Sequence, residues 1–447
     1  GSSRHAEAER ASDRLLQQQH GSTQRHNKTI HHFLIQTRDV HTKWTKTHHV
    51  TLFSHERPDG LSPGCCFISI SPLRKTTAGR GINTTLCCNK QRIVSTETAL
   101  LRVSNDLLTH SDAGDCSVLV LLDLTAAFGT VDHHLLLERL GDWVGLSGSA
   151  LEWFSSYLSE RSFSVAVSKF RSSTISLTHG VPQGSVLGPL LFLLYLLPLQ
   201  HILSSFKGIS YHLYADDIQL YVSFKPHEMS KLQLLHTCLD SIKAWMAGSF
   251  LQLNEDKTEI LICAPDKLVP KVRDSLGQLA SHTKPSVRNL VVTFDPALTL
   301  DSHVSSLVRS SFFPLRNVAK LSPILSRSEL ETVLHTFISS RLDCCNSLFT
   351  CLSRTSLNRL QVVQNACARL LTKSSKHTHI TPLLLQLHWL PVNFRVHFKI
   401  LVLVYRALHG QAPSYIGDLL SPYTPSRSLR SSDQSLLVVQ HQAKGQR

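Results

Sequence analysis

The pattern of apolar and polar residues becomes regular after about residue 95. Over residues 96–110 apolar side chains recur at helical spacing, which predicts an amphipathic helix. The next regular segment, Cys116–Leu122, is continuously apolar and is followed directly by Asp123. Such a run predicts a central strand covered on both faces, with a carboxylate at its end.

The segment between residues 131 and 203 predicts a helix, a pair of strands and a second helix. Asp132 is a suitable N-cap for a helix that begins near residue 133. Residues 163–168 alternate as in a strand, and residues 175–178 are their expected partner. Residues 186–203 are strongly apolar but contain Pro198 and two further helix-breaking residues near the start. This composition favours a buried helix over a membrane span.

The stretch Tyr211–Val222 combines strand-forming residues with two adjacent acids, Asp216 and Asp217. Two carboxylates side by side in a half-buried strand repel each other and lose hydration. Divalent cations offset that cost best. The alternative is a hairpin turn on a solvent-exposed edge, since Asp is common in turns.

The C-terminal part predicts mainly helices. Residues 287–294 form an apolar strand pattern, and helical periods dominate from about residue 301. One apolar stripe runs along residues 357–371, with Arg354, Arg359 and Arg369 elsewhere on the same helix. Residues 394–408 predict a further buried helix. Residues 1–90 lack a lasting period, which predicts irregular or disordered structure, and residues 421–447 predict a flexible basic tail.

Composition narrows the possible partners. The 447 residues carry a formal net charge of +14, which favours a polyanion such as nucleic acid or an acidic membrane surface. The 11 cysteines form no matched CxxC pairs, so the pattern predicts reduced thiols and argues against zinc. The chain begins without Met and with no secretory signal pattern. We therefore expect a fragment of a longer protein that lies inside the cell, in the nucleus or the cytoplasm.

Four blocks in one order carry a family resemblance. They are Asp123 with Ala127-Phe128, then Val181-Pro-Gln-Gly-Ser185, then Tyr214-Ala-Asp-Asp217, then Leu253-Asn-Glu-Asp-Lys-Thr-Glu259. These blocks resemble motifs A, B, C and D of the reverse-transcriptase palm. The residues of each block are most similar to those of non-LTR retrotransposons, the LINE-type elements of animal genomes. The resemblance covers the chain from about residue 95 to its end.

The resemblance implies an α+β fold of the right-hand polymerase type. Residues 91–300 would be a palm, a ferredoxin-like antiparallel sheet with helices, that carries remnants of the fingers and the primer-grip region. Residues 301–420 would be a helical thumb whose basic surface follows the nucleic-acid backbone. The implied reaction is RNA-directed DNA polymerisation on an RNA template, with a DNA primer and deoxynucleoside triphosphates (dNTPs).

The resemblance also implies a role for each motif residue. Asp123 and Asp216 would bridge two Mg²⁺ ions, or Mn²⁺ in their place, with Asp217 as the adjoining carboxylate and the Leu124 carbonyl as an extra ligand. Phe128 would lie under the sugar and exclude a ribose 2′-hydroxyl. The remaining implied residues are Gln183 and Gly184, which would pack against nucleotide and template, and Lys257, which would act near the leaving pyrophosphate.

Three departures from the family pattern keep a second interpretation open. Position 129 is Gly where the family usually has Asp, and position 291 is Val where a Gly is usual. The fingers motifs, with the arginine that clamps the triphosphate, are not recognisable in residues 1–90; Lys90 and Arg92 are the nearest basic residues. No endonuclease domain and no RNase H carboxylate set is recognisable either. The chain is therefore either a polymerase palm and thumb or a relic that binds nucleic acid without turnover.

Overall fold

The computed structural model describes residues 95–182, 184–423 and 437–438. The predictions for residues 1–90 and for most of the tail after residue 421 lie outside the described residues. The strands are β1 (Cys116–Leu122), β2 (Leu124–Thr125), β3 (Ser162–Phe163), β4 (Ala166–Val167), β5 (Phe170–Arg171), β6 (Ile175–Ser176), β7 (Ile209–Tyr214), β8 (Asp217–Phe224), β9 (Gln252–Leu253), β10 (Glu259–Cys263), β11 (Val287–Asn289) and β12 (Val292–Phe294). The α-helices are α1 (Thr96–Asp112), α2 (His133–Asp142), α3 (Gly148–Leu158), α4 (Gly188–Ser205), α5 (Lys231–Gly248), α6 (Val269–Ser275), α7 (Asp301–Leu321), α8 (Arg327–Leu334), α9 (Ser340–Asp343), α10 (Arg354–Thr372), α11 (Ile380–Gln386), α12 (Val392–Leu408) and α13 (Ser414–Gly417).

A four-stranded antiparallel sheet lies at the centre, in the order β10-β1-β8-β7. The continuously apolar β1 is an inner strand, as its sequence predicts, because both of its faces are covered. Val118 and Val120 face a core shared with α2, α4 and α5. Leu119 faces the opposite core, which contains side chains of α1 and of the C-terminal helices. The prediction of a central, doubly covered strand is confirmed.

Local sequence signals place the helix starts. Ser95 caps α1 by accepting a hydrogen bond from the Thr98 N–H at 3.2 Å, and Asp132 caps α2 by accepting one from the Leu135 N–H at 2.8 Å. Both caps satisfy donors that the first helical turn leaves unpaired. The predicted cap at Asp132 is confirmed.

The strongly apolar helix α4 is a core element. Phe192 and Tyr195 are fully buried against neighbouring helices, as predicted for this segment. It is also the one described helix long and apolar enough to cross a membrane, with half of that window buried inside the protein.

Residues 163–168 do not form the continuous strand that their alternation predicts. Phe163 pairs with Ile175 as expected, but the ladder stops there and a separate pair, β4 with β5, follows. Because no further strand or helix of the described residues covers this segment, the alternation has no core face to build on.

Helix α12 exists where predicted, but the prediction that it is buried is wrong. Val396 and Leu403 face the core, whereas Phe394, Phe398 and Leu401 are exposed. The helix is apolar nearly all round, so its sequence alone could not indicate which stripe is covered.

The predicted strand 287–294 is a hairpin, β11 and β12, closed by the pair Asn289 and Val292. Leu290 takes the left-handed conformation in its turn, with φ +52°. Val291, at the position where the related family has Gly, therefore keeps an ordinary φ, and the turn forms without a glycine.

Candidate active site

The two adjacent aspartates lie at a tight turn between β7 and β8. Tyr214 pairs with Asp217, so Ala215 and Asp216 form a two-residue loop. Ala215 has φ +54°, a conformation that costs a non-glycine residue free energy and persists where the surroundings enforce it. The stretch 211–222 is therefore not one strand, and the turn interpretation is correct on that point. The turn does not lie on a solvent edge, because both aspartates are half-buried and β8 is an inner strand.

The sheet register brings Asp123 to the same place. Leu122 at the end of β1 pairs with Ile218 in β8, so the next residue, Asp123, lies beside Asp217. The Asn254 N–H donates to the Asp123 carbonyl at 2.9 Å, which ties the loop after β9 to this point. Carboxylates from two distant parts of the chain thus lie at one end of two neighbouring strands.

Crowding among these carboxylates perturbs Asp217. Burial is the largest cause, followed by the charges of Asp216 and Asp123, and together they raise the pKa of Asp217 to about 6. Each cause disfavours the ionised form. A strongly shifted carboxyl next to two others is typical of a site that binds a cation.

Lys257 supplies a cation to this cluster. Its Nζ lies 2.8 Å from Asp123 Oδ2, and the contact raises the pKa of Lys257, with a smaller contribution from Asp216. The loop that carries Lys257 is held by Asn254, whose side chain accepts from the Lys257 N–H at 3.2 Å. Lys257 thus lies beside Asp123, and its role near a leaving pyrophosphate stays a prediction.

The donor set fits a divalent ion, although it is not assembled as a complete cage. Asp123 Oδ2 is buried and its close partner is the Lys257 ammonium, so a metal would take this oxygen by displacing that ion pair. Within the described part of the chain, no three His, Cys, Asp or Glu side chains are close enough to hold an ion by themselves. This arrangement suits Mg²⁺, which takes one or two carboxylates and completes its shell with water and substrate phosphate.

The turn after Asp123 packs directly on the segment before Gly184. The Val181 N–H donates to the Phe128 carbonyl at 2.8 Å. Gly180 has φ +86°, and a Cβ there would lie 3.1 Å from the Gly129 carbonyl oxygen. Replacing Gly180 would therefore require the backbone to move. The two predicted substrate-binding segments thus contact each other through their backbones, with no side chain between them.

Phe128 and Gly184 stay predicted substrate contacts, and the structure describes the surroundings of both. Phe128 is half-buried, and its ring packs on Phe192 at a centroid distance of 4.9 Å. Gly184 has φ +80° and open space where a side chain would project, so a ligand can approach its backbone. Gln183 lies outside the described residues.

A cavity of about 390 Å³ connects the aspartates to the β11–β12 hairpin. Asp123, Asp217 and Lys257 line one side, and Arg288 and Asn289 line the other. The Asn289 side-chain amide donates to the buried Gln219 side-chain oxygen at 3.0 Å, which joins the hairpin to β8. Gln219, Arg288 and Asn289 were not predicted from the sequence. The pattern that could have indicated them is a polar residue at an inward position of an otherwise apolar strand.

Comparison with known proteins gives consistent matches. Residues 74–294 match the family model described as reverse transcriptase (RNA-dependent DNA polymerase). The chain is 28% identical over 275 residues to an RNA-directed DNA polymerase from mobile element jockey of Drosophila funebris, covering 59% of this chain and 28% of that protein. It is 27% identical over 290 residues to a probable RNA-directed DNA polymerase from transposon BS of Drosophila melanogaster, covering 62% and 31%. The chain thus spans less than a third of the length of these relatives.

Among solved structures, the chain is similar to telomerase from Candida albicans in complex with a fragment of telomeric RNA. The identity is 14%, the TM-score is 0.31, and the match covers 65% of this chain and 50% of that one. Likeness at this level adds no detail to the site.

Proposed function

We propose, from the match of residues 74–294 to the reverse transcriptase family model, that the chain is the RNA-directed DNA polymerase domain of a jockey-like non-LTR retrotransposon. The observation that carries the proposal is the meeting of Asp123, Asp216 and Asp217 at one end of β1 and β8. Asp123 is far from the other two in sequence, so no local structure brings it to them. Nucleotidyl transfer would explain the arrangement, since it needs carboxylates that converge on divalent ions.

The sheet supports a palm of the ferredoxin-like type. Taken in chain order, β1, β7, β8 and β10 are the four strands of a βαββαβ unit, and their spatial order is fourth, first, third, second. Helices α2 to α4 connect the first two strands and α5 the last two. The β11–β12 hairpin would then be the primer grip and residues 301–420 the thumb.

The carboxylates would hold Mg²⁺, with Mn²⁺ as a substitute, together with the Leu124 carbonyl. Bound there, divalent ions would activate the primer 3′-hydroxyl and neutralise charge on the triphosphate. Burial and like charges raise the pKa of Asp217 to about 6, and a bound cation would offset both causes and favour the ionised form.

Lys257 and Phe128 would act on the incoming dNTP. Lys257, which is paired with Asp123 in the free chain, would donate a proton to the leaving pyrophosphate or stabilise its developing charge. Phe128, fixed by Phe192, would lie under the sugar and exclude a ribose 2′-hydroxyl. Gly184, together with Gln183, would let backbone approach the nucleotide and the template.

The partners would be an RNA template and a DNA primer, bound through the positive surface that the net charge of +14 provides. Because template, primer and dNTPs are intracellular, we propose the same location for the chain.

Primer extension by the purified chain tests this function. The assay uses an RNA template, a DNA primer and dNTPs, in Mg²⁺ and then in Mn²⁺. The Asp216→Asn, Asp217→Asn double variant should lower extension by at least about a hundredfold, since it removes ligands worth several kcal/mol in the transition state. The matched control, Asp266→Asn with Asp274→Asn, changes two exposed carboxylates near α6 and should extend as the unmodified chain does.

A second candidate is a relic that binds nucleic acid without turnover. Gly129, in place of the usual Asp, favours it, as do the fingers motifs that are not recognisable in residues 1–90. No extension in either ion, with salt-sensitive RNA binding retained, would contradict the polymerase proposal and support the relic.

A further inference from the structure

An arm of the chain, residues 161–179, leaves the body of the protein and exposes apolar side chains. It holds β3 to β6, two ladders of two residues per strand. Phe170 is 82% exposed and Val167 is 68% exposed, although both side chains are of types that fold cores. Ribbons of two strands are marginally stable in water, and a cluster of exposed apolar residues indicates a binding surface.

The formally charged side chains of the same arm are all positive. It contains Arg161, Lys169 and Arg171 and has no Asp or Glu between residues 161 and 179. Lys169 lies in the two-residue turn at the tip, after Ser168 with φ +55°. Cations that alternate with exposed aromatic rings match the chemistry of single-stranded nucleic acid, which offers phosphates and unstacked bases together.

The base of the arm is held rigidly. Trp153, Tyr157 and Arg161 form a column: the two rings stack with centroids 5.5 Å apart, and the Arg161 guanidinium lies 4.5 Å from the Tyr157 ring centroid. Arg161 also donates through Nε to the Tyr157 carbonyl at 2.6 Å. A charge fixed in this way loses little side-chain freedom on binding a phosphate.

The arm runs directly into the candidate active site. At its end His179 bridges to Asp132, and the next residue, Gly180, donates its N–H to the Val131 carbonyl at 2.7 Å. Gly184 follows within the same loop. A strand held along the arm would therefore lead toward the turn that would meet the nucleotide.

We propose that the arm binds single-stranded RNA, the unpaired template on its way to the aspartates, with bases stacking on Phe163 and Phe170 and phosphates contacting Lys169 and Arg171. The proposal rests on the proposed polymerase function for the identity of the strand. Binding itself requires no catalysis, so it can be tested separately.

The test measures the affinity of the full chain for a labelled, unstructured oligouridine at salt concentrations from about 50 to 200 mM. The Lys169→Gln, Arg171→Gln variant should weaken binding and reduce the slope of log affinity against log salt by about 1.4, since each phosphate contact on a single strand contributes about 0.7. The Phe163→Ser, Phe170→Ser variant should weaken binding about tenfold and leave the slope unchanged, since stacking releases no counterions.

The control variant Lys267→Gln, Lys271→Gln removes two exposed lysines near α6 and should keep both affinity and slope. All variants should melt as the unmodified chain does, because the altered side chains are exposed. Arm variants that bind RNA as the control does would overturn the proposal and make the arm a protein-docking surface. Repeating the titration with the Asp216→Asn, Asp217→Asn chain separates the two claims: the arm effect should persist there even if extension is never observed.

Discussion

At the scale of single residues, Asp217 is subject to two opposing requirements. Burial and two neighbouring carboxylates favour its protonated form, while the proposed chemistry needs it ionised. Lys257 neutralises Asp123, the other side of the cluster, at 2.8 Å. The Lys257 ammonium thus offsets, in the free chain, part of the negative charge that divalent ions would offset in the working site.

Replacing Asp217 should change stability with pH in a defined direction. Its folded pKa of about 6 lies above the ordinary value of 3.8, so its stabilising contribution is complete below pH 3.8 and is lost as pH rises through 6. Asp217→Asn, which imitates the protonated form, should raise the melting temperature at pH 8 and have little effect at pH 4.5. Differential scanning calorimetry at both pH values measures this.

Asp256→Asn is the matched control, since it alters an exposed carboxylate in the same loop as Lys257, and it should lack this pH pattern. A melting temperature of Asp217→Asn that is raised equally at both pH values would contradict the assignment of the shift to Asp217.

At the scale of elements, contacts between backbones hold the site together. The turn that follows β1 and carries Phe128 contacts the loop before α4 at Gly129 and Gly180. Strand β2 pairs with β9, which brings the loop of Lys257 to the site. The β11–β12 turn forms with Leu290 in the left-handed region. The turn therefore needs no glycine at position 291, because Leu290 takes the strained φ instead.

The two glycines at the motif contact should respond differently to a methyl group. Gly180→Ala should lower the free energy of unfolding by about 1–3 kcal/mol, since it combines a positive φ with a Cβ 3.1 Å from the Gly129 oxygen. Gly129→Ala has no positive φ, and its Cβ would lie 3.4 Å from the nearest atom, so it should cost much less. Urea denaturation compares the pair; equal losses would contradict the close approach.

At the scale of the whole molecule, the C-terminal helices and the sheet share one core. Leu119 and Tyr221 from the sheet belong to the same buried cluster as Phe349 in the C-terminal part. The Thr98 hydroxyl and the Tyr415 hydroxyl lie 3.0 Å apart, which links α13 to α1. A boundary at residue 300 remains a prediction, but a shared core couples the two sides of it energetically.

Two phenylalanines of the C-terminal part test this coupling. Phe349 is fully buried and Phe398 is 59% exposed. Phe349→Ala should lower the free energy of unfolding by about 3–5 kcal/mol, and Phe398→Ala should change it by no more than about 0.5 kcal/mol. The chain should unfold in one transition by both circular dichroism and tryptophan fluorescence. Two separate transitions, with only one shifted by Phe349→Ala, would contradict a single cooperative unit.

The sequence by itself determined the elements whose period is a local property of the chain. Continuous apolarity made β1 central, the cap at Asp132 began α2, and the four motif blocks identified the candidate residues in their order. These signals are local because helix and strand periods, caps and turns depend on neighbouring residues.

Only the tertiary structure decided which of these residues meet and which faces are covered. The register of β1 against β8 brought Asp123 beside Asp217, and the pairing of β2 with β9 brought Lys257 to them. Tertiary packing also left the side chains of Phe170 and Phe398 exposed. The physical reason is that burial and convergence depend on segments far apart in sequence, whose packing no local period encodes.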